Sequence, residues 1–306
     1  MRSAIIRTLA EEASAGADLH LLTADLGFRV LDPFREAHPA RFTNVGVSEA
    51  NMLSVAAGMA LTGKRPFCYS MVPFALMRAF EQFRLDVVAH EQPVTVIGVG
   101  GGLSYGHEGV SHHAVEDIAI LRSLPRLQLL APGDPHEAAA AVRAALAYNG
   151  PTFIRVGQNN DPQLHAAPVD TLRRPLRIRG TSRDVAILAT GHIVAAAREA
   201  CDRVAKTTGV DVSLYSVPCL KPLDAEAVTE IARAAHTIAT VEEHSFIGGL
   251  GTAVIEILFP MRWPGRFERF ALPDVYCDTH GTLPWLRARY GLDPTSIAKR
   301  LEDLLR

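Results

Sequence analysis

The stretch Asn44-Val-Gly-Val-Ser-Glu-Ala-Asn-Met-Leu-Ser-Val-Ala-Ala-Gly-Met-Ala60 sets the frame for reading the whole chain. A short β-branched run, Phe42 to Val45, passes through Gly46 into small and apolar residues that read as a helix from Ser48 to Leu61, ended by Thr62-Gly63. Strand, turn and helix in that order form the unit of a parallel sheet with crossover helices. The helix opens on a single carboxylate, Glu49. Ser48 can cap it and the helix dipole favours an acid in the first turn, so by spacing alone Glu49 is equally a first-turn charge or a chemical group.

The same alternation runs from end to end. Leu19 to Thr23, Pro66 to Tyr69, Val94 to Val99, Leu127 to Ala131 and Thr152 to Val156 read as strands, with a helix reaching about Ala89 and another after Asp134-Pro135. Gly157 to Ser182 holds Asn, Pro, Arg and Gly without periodicity and is placed as the linker. Strands then resume at Val185 to Ala189, Val210 to Leu214, Thr237 to Val241 and Phe267 to Ala271. Helices start at Ile193, Asp224 and Leu250, and two more follow at Leu283 to Tyr290 and after Asp293-Pro294. The expected fold is α/β: a parallel sheet flanked by helices, then a smaller α/β domain.

Composition narrows the function class. The 306 residues, 48% of them hydrophobic, can fill two cores. A net charge of −2 with no basic run gives no footprint for nucleic acid or an anionic membrane, which leaves small molecules or proteins as partners. Cys68, Cys201, Cys219 and Cys277 form no Cys-x-x-Cys pair, which fits a reducing cytoplasm. No apolar run approaches the ~20 residues of a membrane span, so neither export nor an anchor is expected.

After the Val94 to Val99 strand comes Gly100-Gly-Gly-Leu-Ser-Tyr-Gly-His-Glu-Gly-Val-Ser-His-His113. Such a loop lies at the carboxyl end of a strand, where open α/β sheets bind ligands. Its glycines lack the G-x-G-x-x-G order, and no Lys-Ser/Thr follows. His107, Glu108, His112 and His113 raise the question of a metal, but adjacent histidines do not readily face one ion, and no metal site is assigned.

Four separated segments now agree. Gly46-Val-Ser-Glu-Ala-Asn-Met, Arg78-Ala-Phe-Glu-Gln-Phe-Arg, Gly109-Val-Ser-His-His with Glu116-Asp-Ile-Ala-Ile-Leu-Arg-Ser-Leu-Pro, and Glu242-Glu-His-Ser-Phe-Ile-Gly-Gly-Leu-Gly together resemble the C-terminal half of transketolase, in order and approximate spacing. The resemblance implies a thiamine-diphosphate pyrimidine-binding domain over residues 1–170 and the family's C-terminal domain over 171–306. Glu49 then matches the acid that shares a proton with the cofactor's aminopyrimidine ring, a role in which a carboxyl in a small, dry pocket is physically reasonable.

The resemblance also assigns other positions. Asp25 matches an acid near the thiazolium. Val72 and Ala75 occupy the usual aromatic places, with Tyr69, Phe74 and Phe67 as nearby substitutes that could equally be core; Tyr69 and Phe74 are taken as the expected aromatic wall. His112 matches a substrate-contacting histidine, and Glu108 stands where the family usually has Asp. A second family histidine falls on Gly100, and the phosphate-binding arginine falls on Gln158. Arg2 matches another phosphate arginine, and Arg29 sits where a phosphate-contacting serine is common. Losing a bidentate arginine predicts weak activity on ordinary ketose phosphates. Arg155 reads as a structural strand-end residue that caps the strand or pairs at the surface, His192 as a helix start, and His244 as a structural residue at a subunit contact. The segments Asp278-Thr-His-Gly and Leu283-Pro-Trp-Leu resemble the family's closing segment.

Nothing here resembles the Gly-Asp-Gly motif that holds Mg²⁺ and the diphosphate in full-length members. The resemblance therefore implies one subunit of a split enzyme, with Mg²⁺ and diphosphate ligands supplied by an N-terminal partner subunit in an α₂β₂ heterotetramer. The expected activity is transfer of a two-carbon ketol unit from a ketose or related keto donor to an aldehyde, in a specialised pathway with a non-standard substrate. Two rivals stand beside it: the β subunit of a 2-oxo-acid decarboxylating component, and a non-catalytic interaction subunit that kept the fold.

Overall fold

The computed structural model describes residues 1–158 and 161–305. Six parallel strands form most of the first sheet: β1 (Leu19–Thr23), β2 (Phe42–Asn44), β3 (Arg65–Met71), β4 (Thr95–Val99), β5 (Gln128–Leu130) and β6 (Thr152–Val156). Four further strands, β7 (Leu176–Arg179), β8 (Val185–Ala189), β9 (Ser213–Ser216) and β10 (Cys219–Lys221), precede β11 (Thr237–Ser245) and β12 (Arg266–Leu272). The first sheet runs β10-β5-β6-β4-β3-β1-β2 and the second β12-β11-β8-β9-β7.

Three of these strands correct the sequence reading. β7 lies inside the stretch taken as an aperiodic linker and pairs antiparallel with β9 at the edge of the second sheet. The strand expected at Val210 to Leu214 begins three residues later. β10, unforeseen, leaves the second unit and pairs antiparallel with β5, so the first sheet is completed by a strand from the chain's second half.

The helix Glu49–Leu61 shows why the local pattern folds as it does. Its buried positions, Glu49, Met52, Leu53, Ala56, Ala57 and Ala60, fall at three- and four-residue steps and form one inward stripe. The stripe packs with Val72, Ala75, Leu76, Phe83 and Val87 in a core that continues into the second unit through Leu188, Ile238 and Val254. The opposite face of the sheet is covered by the helices Arg2–Ser14 and Pro135–Ala147 over Leu21, Phe67, Tyr69, Ile97 and Ile154. A third core lies under the helices Val194–Thr208 and Pro294–Leu304.

Register brings the loops level. Thr23 lies opposite Asn44 on one side and Tyr69 on the other, and Val99 lies opposite Met71 and Val156. The chain reverses its direction of travel across the sheet between β1 and β3, the kind of switch point where a crevice opens. Among the described residues no helix is long and apolar enough to cross a membrane.

Candidate active site

Glu49, Phe74, Arg78 and His112 come together at that carboxyl edge. Asn44 prepares the turn that delivers Glu49: its Oδ1 accepts from the backbone N–H groups of Gly46 (3.0 Å) and Asp25 (2.9 Å), and its Nδ2 donates to Asp25 Oδ1 at 3.0 Å. Gly46 takes φ +77°, a conformation that glycine adopts without strain. Glu49 is then 3% exposed at the first position of its helix. Ser48, expected as a cap, makes no side-chain capping bond.

Arg78 Nη1 donates to Glu49 Oε2 at 3.1 Å, with the arginine side chain 53% exposed and the carboxylate 3%. The same guanidinium sits 4.7 Å over the Phe74 ring. Phe74 meets His112 edge to face at 5.2 Å between centroids. Ser111 Oγ lies 2.9 Å from His112 Nδ1, and Tyr105 approaches the imidazole from another side at 6.4 Å. A cavity of about 550 Å³ opens beside this cluster, lined in part by Phe74, Arg78, Ser111, His113 and Tyr276. Arg78, Tyr105 and Ser111 were not singled out as site residues from sequence. Arg78 was nevertheless present in a quoted motif, and its position one helical turn after Phe74 was the available signal.

The other expected site residues divide. Asp25 and Arg29 follow β1, both exposed and both at positive φ. Glu108 is exposed on the glycine loop after β4, and Gln158 is exposed just past β6. Arg2, half-buried at the start of the helix that returns to β1, lies by Tyr69 and Tyr105. Tyr69 is the correction. It sits within β3, 1% exposed, and points into the core under the Arg2–Ser14 helix, on the sheet face opposite the Glu49 helix. Burial pushes its phenol up to about 12 against the opposing pull of Arg2. Phe74 alone of the expected aromatic pair stands beside Glu49's partner.

Arg155 and His244 both serve the fold, in keeping with their structural reading, although Arg155 does so from the interior. Arg155 stands one residue before the end of β6, as a strand-end residue should, but is 2% exposed and not at the surface. Its Nε and Nη2 reach Asp117 at 2.6 and 3.3 Å, and Nη2 also donates to the carbonyls of Ala114 and Glu243, each at 3.0 Å. His244 is fully buried within the chain, 4.0 Å from Asp117. Its Nδ1 donates to the Ser245 carbonyl and its Nε2 accepts from Ala119 N–H, a neutral tautomer consistent with burial lowering its pKa. His192 is more than a helix start, with Nε2 3.1 Å from Glu243. Burial alone would raise the Glu243 carboxyl, but Arg287 and His192 hold it well below the ordinary carboxylate range.

Two further places do not carry the chemistry. A larger cavity, about 1120 Å³, lies at the amino ends of the strands between the Pro135–Ala147 helix and β10. Of its four cations, Arg126, Arg143 and Lys221 are engaged by Glu91, Glu12 and backbone carbonyls, and Arg173 is the fourth. Among the described residues, the cluster able to surround an ion is Asp134, Glu137 and His165. Its oxygens are taken by the N–H groups of Gly133, Glu137, Leu164 and His165, by Ser216 and by the His165 ring. That arrangement is a clasp pinning residues 164 and 165 to a helix start, and Glu137 raises the His165 pKa.

Comparison with known proteins agrees with this architecture. The model of the transketolase pyrimidine binding domain matches residues 1–162, and that of the transketolase C-terminal domain matches residues 176–297. The chain is 32% identical to a subunit of the apulose-4-phosphate transketolase of Phocaeicola vulgatus, covering 97% of this chain and 95% of that one. It is 35% identical to 1-deoxy-D-xylulose-5-phosphate synthase of Heliobacterium modesticaldum over 90% of its own length, but spans only 42% of that protein. A solved structure described as a split-gene transketolase, inactive β4 tetramer, superposes with a TM-score of 0.89 at 32% identity, covering 99% of this chain and 97% of that one. The chain belongs to the transketolase family and carries its pyrimidine-binding and C-terminal domains.

Proposed function

We propose that this chain is the C-terminal subunit of a two-component, thiamine-diphosphate-dependent transketolase of the cytoplasm, transferring a two-carbon ketol unit to an aldehyde only when joined to a partner subunit. The observation that carries the reading is the buried Glu49 carboxylate at the switch point of the sheet, flanked by Phe74, Arg78 and His112.

The residues present fit the pyrimidine half of the cofactor. Arg78 engages Glu49 Oε2, and among the described residues Oε1 takes no side-chain partner, so it is the oxygen able to share a proton with a ring nitrogen. Phe74 lines the opening, and His112 packs against its ring in a T-shaped pair. When bound, thiamine diphosphate supplies the carbon nucleophile and electron sink for carbon–carbon cleavage. Glu49 holds the proton that tunes the ring, while His112 and Glu108 bind substrate hydroxyls. Asp25, tied to Asn44, lies on the loop that borders the crevice and is assigned to the thiazolium side.

The diphosphate half does not fit. Among the described residues no acidic or histidine cluster able to hold Mg²⁺ lies near Glu49. A diphosphate needs a metal or clustered donors, so these are assigned to the partner. Exposed apolar side chains near the opening, Val47, Val110 and Tyr276, are the surface that such a partner would cover. An α₂β₂ assembly with sites at subunit interfaces follows from twofold closure. The inactivity stated for the split-gene β4 tetramer supports partner dependence. We place the boundary between the two domains near residue 170.

Substrate selection rests on Arg2, Arg29, Glu108, His112 and Gln158. With Gln158 where a phosphate arginine is expected, xylulose 5-phosphate should be a weak donor, and apulose 4-phosphate, named for two relatives, is the first to test. The test is ketol transfer by the co-expressed pair. Transfer from a ketose without carbon dioxide release from pyruvate is expected. Decarboxylation of a 2-oxo acid would instead favour the dehydrogenase-type reading, and no turnover with any donor the interaction-subunit reading.

A further inference from the structure

The glycine loop after β4 carries Glu108 and His112 but little regular structure of its own. It is closed at its base by Gly102 and Ala114, which exchange backbone hydrogen bonds at 2.8 and 2.9 Å. That base rests on the second unit. Leu103 buries its side chain in the third core, among residues of β8, β11 and the Val194–Thr208 helix, and is 1% exposed. Its backbone N–H donates to Glu243 Oε1 at 2.6 Å. The other carboxylate oxygen of Glu243 faces Arg287 Nε at 2.7 Å and His192 Nε2 at 3.1 Å. Gly102 has φ +66°, and a Cβ there would lie 2.6 Å from Glu243 Oε1, so the backbone reaches this carboxylate only without a side chain.

We propose that Glu243 is a positioning residue: through the Leu103 N–H it moors the base of the glycine loop on the second unit and so sets where Glu108 and His112 meet substrate. The mooring is read from geometry alone, and its consequence rests on the function proposed above. A buried carboxylate with matched donors is rigid because any displacement leaves a charge unpaired. The loop is also held at Gly106, whose carbonyl accepts from Gly281 N–H at 3.1 Å, so a shift of the base pivots the segment that carries Glu108 and His112, and a misplacement of ~1 Å can cost ~10²-fold in rate. Glu243 touches none of the residues around Glu49 that are assigned to the cofactor.

Two variants separate the mooring from general damage. Glu243→Leu removes the acceptor for Leu103 and strands Arg287. The double variant Glu243→Gln with Arg287→Met keeps an acceptor and removes both charges. Hydrogen exchange on this chain should show residues 103–113 exchanging at least ~10-fold faster in Glu243→Leu, the Glu49–Leu61 helix unchanged, and protection restored in the double variant. In the assembled enzyme, Glu243→Leu should raise the donor KM by ~10-fold or more, with thiamine diphosphate affinity within about twofold of the unmodified complex and most of the loss recovered in the double variant.

Unchanged exchange across 103–113, or a double variant no better than the single one, overturns the mooring. Faster loop exchange with an unmoved KM overturns its role in substrate selection. Inactivity of the unmodified complex would count against the proposed function, and the exchange result would still decide the mooring.

Discussion

Replacing Glu49 with alanine is expected to lower kcat of the partnered enzyme by at least ~10²-fold, the scale of losing a positioned acid–base group, while leaving the fold almost intact. Magnitude separates the two readings of this residue. As a first-turn helix charge, Glu49 would contribute about 0.3–1 kcal/mol of stability and nothing to turnover. As the proton-holding acid it should do the reverse. Its partner Arg78 is half exposed and can be solvated once the carboxylate is gone, so the structural cost stays small. Glu49→Gln should be nearly as inactive, because an amide keeps the shape but cannot share a proton with a ring nitrogen. Thermal unfolding and turnover measured on the same preparations check both halves, and a Glu49→Ala enzyme that retained its kcat would remove the carboxylate from the mechanism.

The second large effect concerns stability. Arg155→Met should destabilise the chain by about 3–5 kcal/mol, because it leaves the Asp117 carboxylate, 0% exposed, without its bidentate partner. It also strands the carbonyls of Ala114 and Glu243, which Arg155 joins across the two units. Adding Asp117→Leu should recover much of the loss, since removing both charges avoids the uncompensated one. A double-mutant cycle read by thermal denaturation measures the coupling. A single-variant loss under about 1 kcal/mol, the range of a surface pair, would mean that Arg155 is solvated in solution.

Legibility followed sequence distance. Glu49 and Phe74 each stand a few residues past a strand end, and His112 lies on the long loop that leaves β4, so strand-loop-helix order suffices to put them at one edge of the sheet. Tyr69 shows where that logic stops. β3 is buried on both faces, and its pattern has no polar side to say which residues face the Glu49 helix. Arg155 sits in Thr152-Phe-Ile-Arg-Val, and its partners Asp117 and Glu243 lie 38 and 88 residues away, so nothing local distinguished a buried arginine from a surface one. The same holds for His244, whose contact with Asp117 crosses between units. β10 has three residues and pairs with a strand far earlier in the chain, too short for a periodic signal. Arg78 was visible as a letter in a motif, but its contact with Glu49 depends on the packing of the residue 73–89 segment, which winds wider than an α-helix over most of its length.

The central claim is that this chain holds one half of a cofactor site and needs another subunit for the rest. Titration of thiamine diphosphate with Mg²⁺ into the chain alone, and into the chain co-expressed with a candidate partner, tests it most directly. Saturable binding only in the complex is the predicted result. Tight binding and turnover by the isolated chain would contradict the account, because the diphosphate and its metal would then be held by residues of this chain itself.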